Sequence, residues 1–103
     1  MKRQAKRPLQ IYPGEILAEE WVKPNGLTFS QLSDRTGIPA LTVSSIIKGR
    51  RAITAETALR LGRFFGTGER SWLNLQQAYG VESVKKGLGS RLMREVEPLV
   101  ARS

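Results

Sequence analysis

Lys48, Arg50 and Arg51 crowd the end of one short segment, LTVSSIIKGRR, with no acid among them. Side chains of this kind neutralise phosphate oxygens, supplying affinity and salt dependence but little sequence information. Ser30 and Gln31 add a second phosphate-seeking element. They follow Thr28 at the start of a predicted helix, where unpaired backbone amides and the helix dipole favour an anion. Thr42 and Lys48 would flank the groove between the two. Set against this is the plain alternative of a solvated loop carrying its usual charges.

Groups for covalent or acid–base chemistry are scarce. The chain has no His and no Cys, so the commonest general base and the thiol nucleophile are missing. There is no H-E-x-x-H, and Gly87-Leu88-Gly89 alone does not cradle a phosphate. Carboxylates on an exposed helix make a weak case for hydrolysis. The sequence is read as non-enzymatic, with no cofactor and no metal.

Seventeen Lys and Arg oppose nine Asp and Glu, a net charge of +8 and a pI of about 10.6. Such a balance suits nucleic acid, anionic membrane surfaces or simple solubility. The cations gather at 2–7, at 48–51 and in the C-terminal third, whereas Glu15, Glu19 and Glu20 form an acidic cluster. No apolar run reaches signal-peptide or membrane-spanning length, and the basic start MKRQAKRP is followed by acids in IYPGEILAEEW. The expectation is a cytoplasmic protein with no membrane partner. Without cysteine, disulfides and thiolate metal sites are unavailable.

The elements that must position these groups all read as helix, with no period-2 alternation. Residues 1–9 are expected to be a flexible basic arm, in which Lys2, Arg3, Lys6 and Arg7 either enter a minor groove or merely solubilise the terminus. Pro13 opens helix one, with Ile16, Leu17, Trp21 and Val22 on one face, until Lys23-Pro24 stops it. Thr28 and Gln31 form a capping box for helix two, and Gly37 ends it. Pro39 opens helix three, which ends at Gly49. Thr54 caps helix four, with Ala58, Leu61 and Phe65 as its stripe and Gly66 as its end. Helix five is predicted from Glu69 to Tyr79, burying Trp72, Leu73 and Leu75, and stopping at Gly80.

Two helices joined through Gly37 and locked by Leu32, Ile38, Val43 and Ile46 make a helix-turn-helix at 28–48, within a domain spanning 10–80. An ordinary helical hairpin is the bland alternative. Residues 81–103 read as a helical C-terminal extension, with one short helix near 81–86 and another from Ser90 to about Glu97. Leu92, Val96 and Leu99 leave an apolar i, i+4, i+7 stripe there that the monomer does not cover, which points to dimerisation. Arg91 and Arg94 beside it read as plain surface charges.

From Pro13 through Gln76 the chain resembles the HigA-type antitoxins, a branch of the phage-repressor-like (Cro/C1, or XRE) helix-turn-helix proteins. PGEILAEEW, the stretch GLTFSQLSDRTGIPALTVSSIIKGRRAITAETALRLGRFFGT, and SWLNLQ carry the pattern in order over about two-thirds of the chain. WLNLQ is the most discriminating segment. The resemblance implies an all-α fold, a five-helix lambda-repressor-like domain. It also implies a homodimer that binds a palindromic double-stranded operator, represses its own operon and neutralises a HigB-type mRNA-cleaving ribonuclease toxin.

Carried over by position, the base-reading slots of helix three are Ala40, Leu41, Ser44 and Ser45. Ala40 and Leu41 cannot form the bidentate hydrogen bonds that distinguish purines, though either could touch a thymine methyl. Leu41 has a second reading, as a core residue packed inward. Phe29 stands where the family often holds a phosphate-positioning Gln. Glu15, Glu19 and Glu20, the only acidic patch on a basic chain, are candidates for docking a basic toxin, or are an ordinary exposed face. A free-standing repressor without a toxin remains a competing reading, as does a toxin-binding or scaffold protein that has lost sequence-specific DNA recognition.

Overall fold

The computed structural model describes residues 11–100, so the arm expected over 1–9 lies outside the described residues. Helix α1 spans Pro13–Ile16 and runs on without a break as a π-helix, Leu17–Val22; α2 spans Phe29–Thr36, α3 Ala40–Ile47, α4 Ala55–Phe65, α5 Glu69–Leu88 and α6 Arg91–Glu95. No strand occurs among the described residues.

The local signals act as the side chains dictate. Thr28 Oγ1 accepts from the Gln31 amide at 3.0 Å, and Gln31 Oε1 accepts from the Thr28 amide at 2.9 Å, closing the capping box of α2. Gly37 ends α2 in the left-handed region at φ 78°. Thr54 caps α4 by accepting from the Thr57 amide.

The π-helical half of α1 was not visible in the pattern. Its wider turn is marked by the Lys23 amide bonding to Ala18 O, five residues back, at 3.0 Å. Hydrogen bonding at that spacing stacks residues five apart. Leu17 and Val22, both on the apolar face expected of this helix, are buried.

Leu17, Val22, Leu32, Ile38, Val43, Ile46, Ile53, Ala58, Leu61 and Trp72 form one continuous core to which α1 to α5 all contribute. Trp72 is core, as expected, with its indole Nε1 donating to Thr67 Oγ1 at 2.9 Å. The rings of Trp21 and Phe65 flank it, at centroid separations of 5.8 and 6.0 Å. Leu73 and Leu75 are only partly buried against this core.

Two C-terminal expectations are corrected. Helix α5 does not stop at Gly80 but continues to Leu88, absorbing the separate helix expected near 81–86. Gly80 is absent from the positive-φ glycines, so it does not act as a C′ residue. A single glycine inside a helix costs only about 1 kcal/mol, which flanking helix formers can outweigh. The break falls instead at Gly89, whose φ is 47°.

Helix α6 ends at Glu95, with Val96 already extended at φ −122°, ψ 111°. Leu92, Val96 and Leu99 are exposed as expected, but they do not share one helical face. No residue from 80 to 100 is buried, so this part of the chain projects from the body.

Candidate nucleic-acid interface

Helix α3 has a clear inside and outside. Val43 and Ile46 are buried at 1% and 2% exposure, whereas Leu41 is 73% exposed. Residues three, four and seven apart share a helical face. Leu41, Ser44, Ser45 and Lys48 therefore line up on the side away from Val43 and Ile46. Ala40 is exposed at the first position of the helix, and Ser44 and Ser45 are half-buried beneath the outward face. The inward reading of Leu41 is thus excluded, and the four base-facing candidates occupy the accessible side of the second helix.

The turn that sets this helix is held by side chains. Thr36 Oγ1 donates to Leu32 O at 2.7 Å and accepts from the Ile38 amide at 3.2 Å. Ser33 Oγ donates to Ile38 O at 2.6 Å. Arg60 reaches across from α4, donating from Nη1 to Thr36 O at 3.0 Å while Nε and Nη2 both engage Glu56 Oε2. Arg60 thereby satisfies the last carbonyl of α2, one of those that a helix end leaves open. Sequence reasoning missed Arg60, because its partner lies 24 residues away and nothing local marks it.

At the start of α2, Ser30 and Gln31 are exposed and the first-turn amides point out of the helix end. The capping box restricts Gln31: its carbonyl oxygen is engaged by the Thr28 amide, which leaves its NH₂ to face a phosphate. Phe29 is 42% exposed at the first position of the same helix, an apolar ring at an otherwise anion-favouring end.

After α3 the chain turns through Gly49, at φ 78°, and the Lys48, Gly49 and Arg50 amides bond back to Ser44, Ile46 and Ser45 carbonyls. Lys48, Arg50 and Arg51 are all exposed. Arg51 Nη1 lies 3.4 Å from Thr42 Oγ1, so the structure brings two of the expected phosphate contacts together. The ring of Tyr12 packs against Gly49, where a Cβ would meet it at 3.2 Å.

The loop is tied to the body by Gln76 of α5, whose Oε1 accepts from the Ile53 amide at 2.8 Å. Gln76 ends the segment WLNLQ that carries the resemblance, and nothing local in the sequence marks it as a loop anchor, since its partner lies 23 residues away.

The acidic residues are spread along α1, Glu15 in its first turn and Glu19 and Glu20 in its π-helical half. Glu15 is half-buried, Glu19 and Glu20 are exposed, and Glu19 Oε2 pairs with Lys23 Nζ at 2.7 Å. Glu20 stands at the rim of a cavity of about 370 Å³ lined also by Ile16, Trp21, Ser71, Trp72 and Leu75. Among the described residues no group of His, Cys, Asp and Glu could hold a metal ion, and no helix is long and apolar enough to cross a membrane.

Comparison with known proteins gives this geometry a family. A helix-turn-helix family model matches residues 19–73. Virulence-associated protein I of Dichelobacter nodosus is 43% identical over 76 residues, covering 74% of this chain and 70% of that protein. The solved structure of an addiction module antidote protein of a HigA family from Coxiella burnetii superposes with a TM-score of 0.84 at 44% identity, covering 89% of this chain and all of that one. Pseudomonas aeruginosa antitoxin HigA, solved with the higBA promoter, superposes with a TM-score of 0.83 at 35% identity over 88% of this chain and 99% of that one. The chain belongs to the helix-turn-helix family and, within it, to the HigA-type antitoxins of the phage-repressor-like branch.

Proposed function

We propose that this protein is a DNA-binding antitoxin, a homodimer that represses its own operon through a palindromic operator and neutralises a HigB-type mRNA-cleaving toxin by direct contact. The observation that carries the reading is the outward face of α3. Leu41, Ser44, Ser45 and Lys48 lie along it while Val43 and Ile46 lock the helix inward, and the exposed Arg50 and Arg51 follow directly. A helix held in this way can lie in a major groove, with the start of α2 and the loop cations on the flanking phosphates. The relative solved with its promoter supports DNA as the ligand.

The assigned roles follow from position. Ala40, Leu41, Ser44 and Ser45 face bases. Ser30, Gln31, Thr42, Lys48, Arg50 and Arg51 hold phosphates. Leu92, Val96 and Leu99, exposed on the projecting C-terminal segment, join two copies. Glu15, Glu19 and Glu20 meet the toxin. The protein works in the cytoplasm by binding and performs no catalysis.

A mobility shift at physiological salt tests the first half, comparing the DNA upstream of the chain's own coding sequence with scrambled DNA of the same composition. Several-fold preference for the native sequence is expected, and equal affinities would defeat operator recognition. Co-expression with the product of the adjacent reading frame tests the second half. A stable complex is expected, whereas failure to co-purify would leave the free-standing repressor.

A further inference from the structure

Within the operator reading, on which this inference rests, we propose that Leu41, supported by Ala40, reads the C5 methyl groups of thymines, so that half-site specificity is carried by an apolar contact. Leu41 is 73% exposed, and it lies on the central line of the outward face, seven residues from Lys48. It has no part in the core, whose α3 positions are filled by Val43 and Ile46.

The alternatives for discrimination on this face are weak. Ser44 and Ser45 are short, half-buried and able to bond to any base. Gln31, the nearest amide side chain at the start of α2, has its oxygen committed to the capping box. Lys48 at the far end of this face, with Arg50 and Arg51 in the loop beyond it, takes phosphates in the operator reading, contacts that carry little sequence information.

What remains able to tell one base pair from another is the leucine side chain. The major-groove edge of a base pair presents hydrogen-bonding atoms and, on thymine alone, an apolar methyl group. An isobutyl group with no hydrogen-bonding capacity gains by covering that methyl and loses by covering a donor or acceptor that it cannot satisfy. The geometry therefore assigns thymines to the base positions beneath the first turn of α3.

The test removes the methyl and nothing else from the edge of the base. DNA upstream of the coding sequence is synthesised with thymidine or with deoxyuridine throughout, and each form is titrated with the native protein and with Leu41→Ala. The substitution is at a largely exposed position, so folding is unaffected.

One methyl contact per half-site is expected to make uracil DNA about fourfold weaker, and two half-sites roughly fifteenfold. For Leu41→Ala the thymine-to-uracil ratio should fall toward one, which separates the side-chain contact from any change in the stiffness of uracil DNA. Equal binding of both DNAs by the native protein, with the native sequence still preferred over scrambled DNA, would overturn the thymine inference alone. An unchanged ratio in Leu41→Ala would overturn it too. Loss of preference over scrambled DNA would bring down the operator reading itself, and this inference with it.

Discussion

Gln76 on α5 accepts the hydrogen bond of the Ile53 amide at 2.8 Å across 23 residues of sequence. Ile53 is itself buried, at 3% exposure, so its amide has little access to water as a substitute partner. The contact fixes the end of the loop that begins with Lys48 and carries Arg50 and Arg51. Gln76→Leu should destabilise the fold by about 1–3 kcal/mol, the cost of leaving a buried donor unpaired. It should also weaken binding to all DNA by loosening the loop cations. Gln76→Glu retains an accepting oxygen and should recover most of the stability. Hydrogen exchange at the Ile53 amide checks the mechanism directly: it should accelerate in Gln76→Leu, and an unchanged rate would remove Gln76 as the anchor.

Two glycines make opposite predictions. A Cβ on Gly14 would lie 1.8 Å from Ile46 O, so α1 and α3 touch backbone to backbone there. Gly14→Ala must push α3 away, costing about 3 kcal/mol or more. Gly80 lies within α5 with nothing within 4 Å of where a Cβ would stand. Gly80→Ala should stabilise by roughly 0.5–1 kcal/mol through helix propensity. Urea denaturation of the two variants decides both, and a stabilised Gly14→Ala would contradict the packing described.

How much of this was legible in the sequence depended on the range of the interaction. The Thr28–Gln31 capping box, the Gly37 turn and the Thr54 cap are settled within three or four residues, and each forms as the residues indicate. Gly80 carries a helix-end signal that the chain does not use, because a glycine ends a helix only where the chain turns, and the residues beyond it continue the helix to Leu88. The π-helical turn of α1 has no local signal, since Leu17 and Val22 read as an ordinary apolar helix face and only the Lys23–Ala18 bond marks the wider turn.

The site divides in the same way. Its residues lay in one legible segment, but the direction of Leu41 could not be read, since a leucine fits either face of a short helix. The Arg60–Thr36 and Gln76–Ile53 bonds join elements more than twenty residues apart, and only the fold brings their partners together.

Phosphate contact by the loop makes a quantitative prediction. Each neutralised phosphate contributes roughly 0.9 to the slope of log K against log salt. Lys48→Ala and Arg50→Ala should each weaken native and scrambled DNA alike, and each should flatten that slope by about one unit per copy. Arg51 is less free to do so, because its guanidinium lies within 3.4 Å of Thr42 Oγ1. Arg51→Ala should therefore change the slope less than Arg50→Ala. A salt titration with identical slopes in native protein and Lys48→Ala would show that Lys48 holds no phosphate.

The acids of α1 can be reversed without touching the face proposed to hold DNA. Glu15, Glu19 and Glu20 follow one another along a short helix of a chain whose net charge is +8. The helix-three face and loop proposed to hold DNA are formed by other elements, so charge reversal on α1 separates the two proposed activities. Replacing all three by Lys should abolish toxin neutralisation, because a basic ribonuclease would then meet a like-charged surface. Binding to promoter DNA should persist, and it should gain in affinity at low salt from the added positive charge. The Glu19–Lys23 pair is exposed and of the kind that contributes little stability, and promoter binding by the triple variant checks that the fold survives the other two changes. Growth rescue of cells expressing the adjacent gene product is the readout. Full rescue by the triple variant would place the toxin contact elsewhere, whereas loss of both rescue and DNA binding would indicate damage to the fold rather than to the toxin surface.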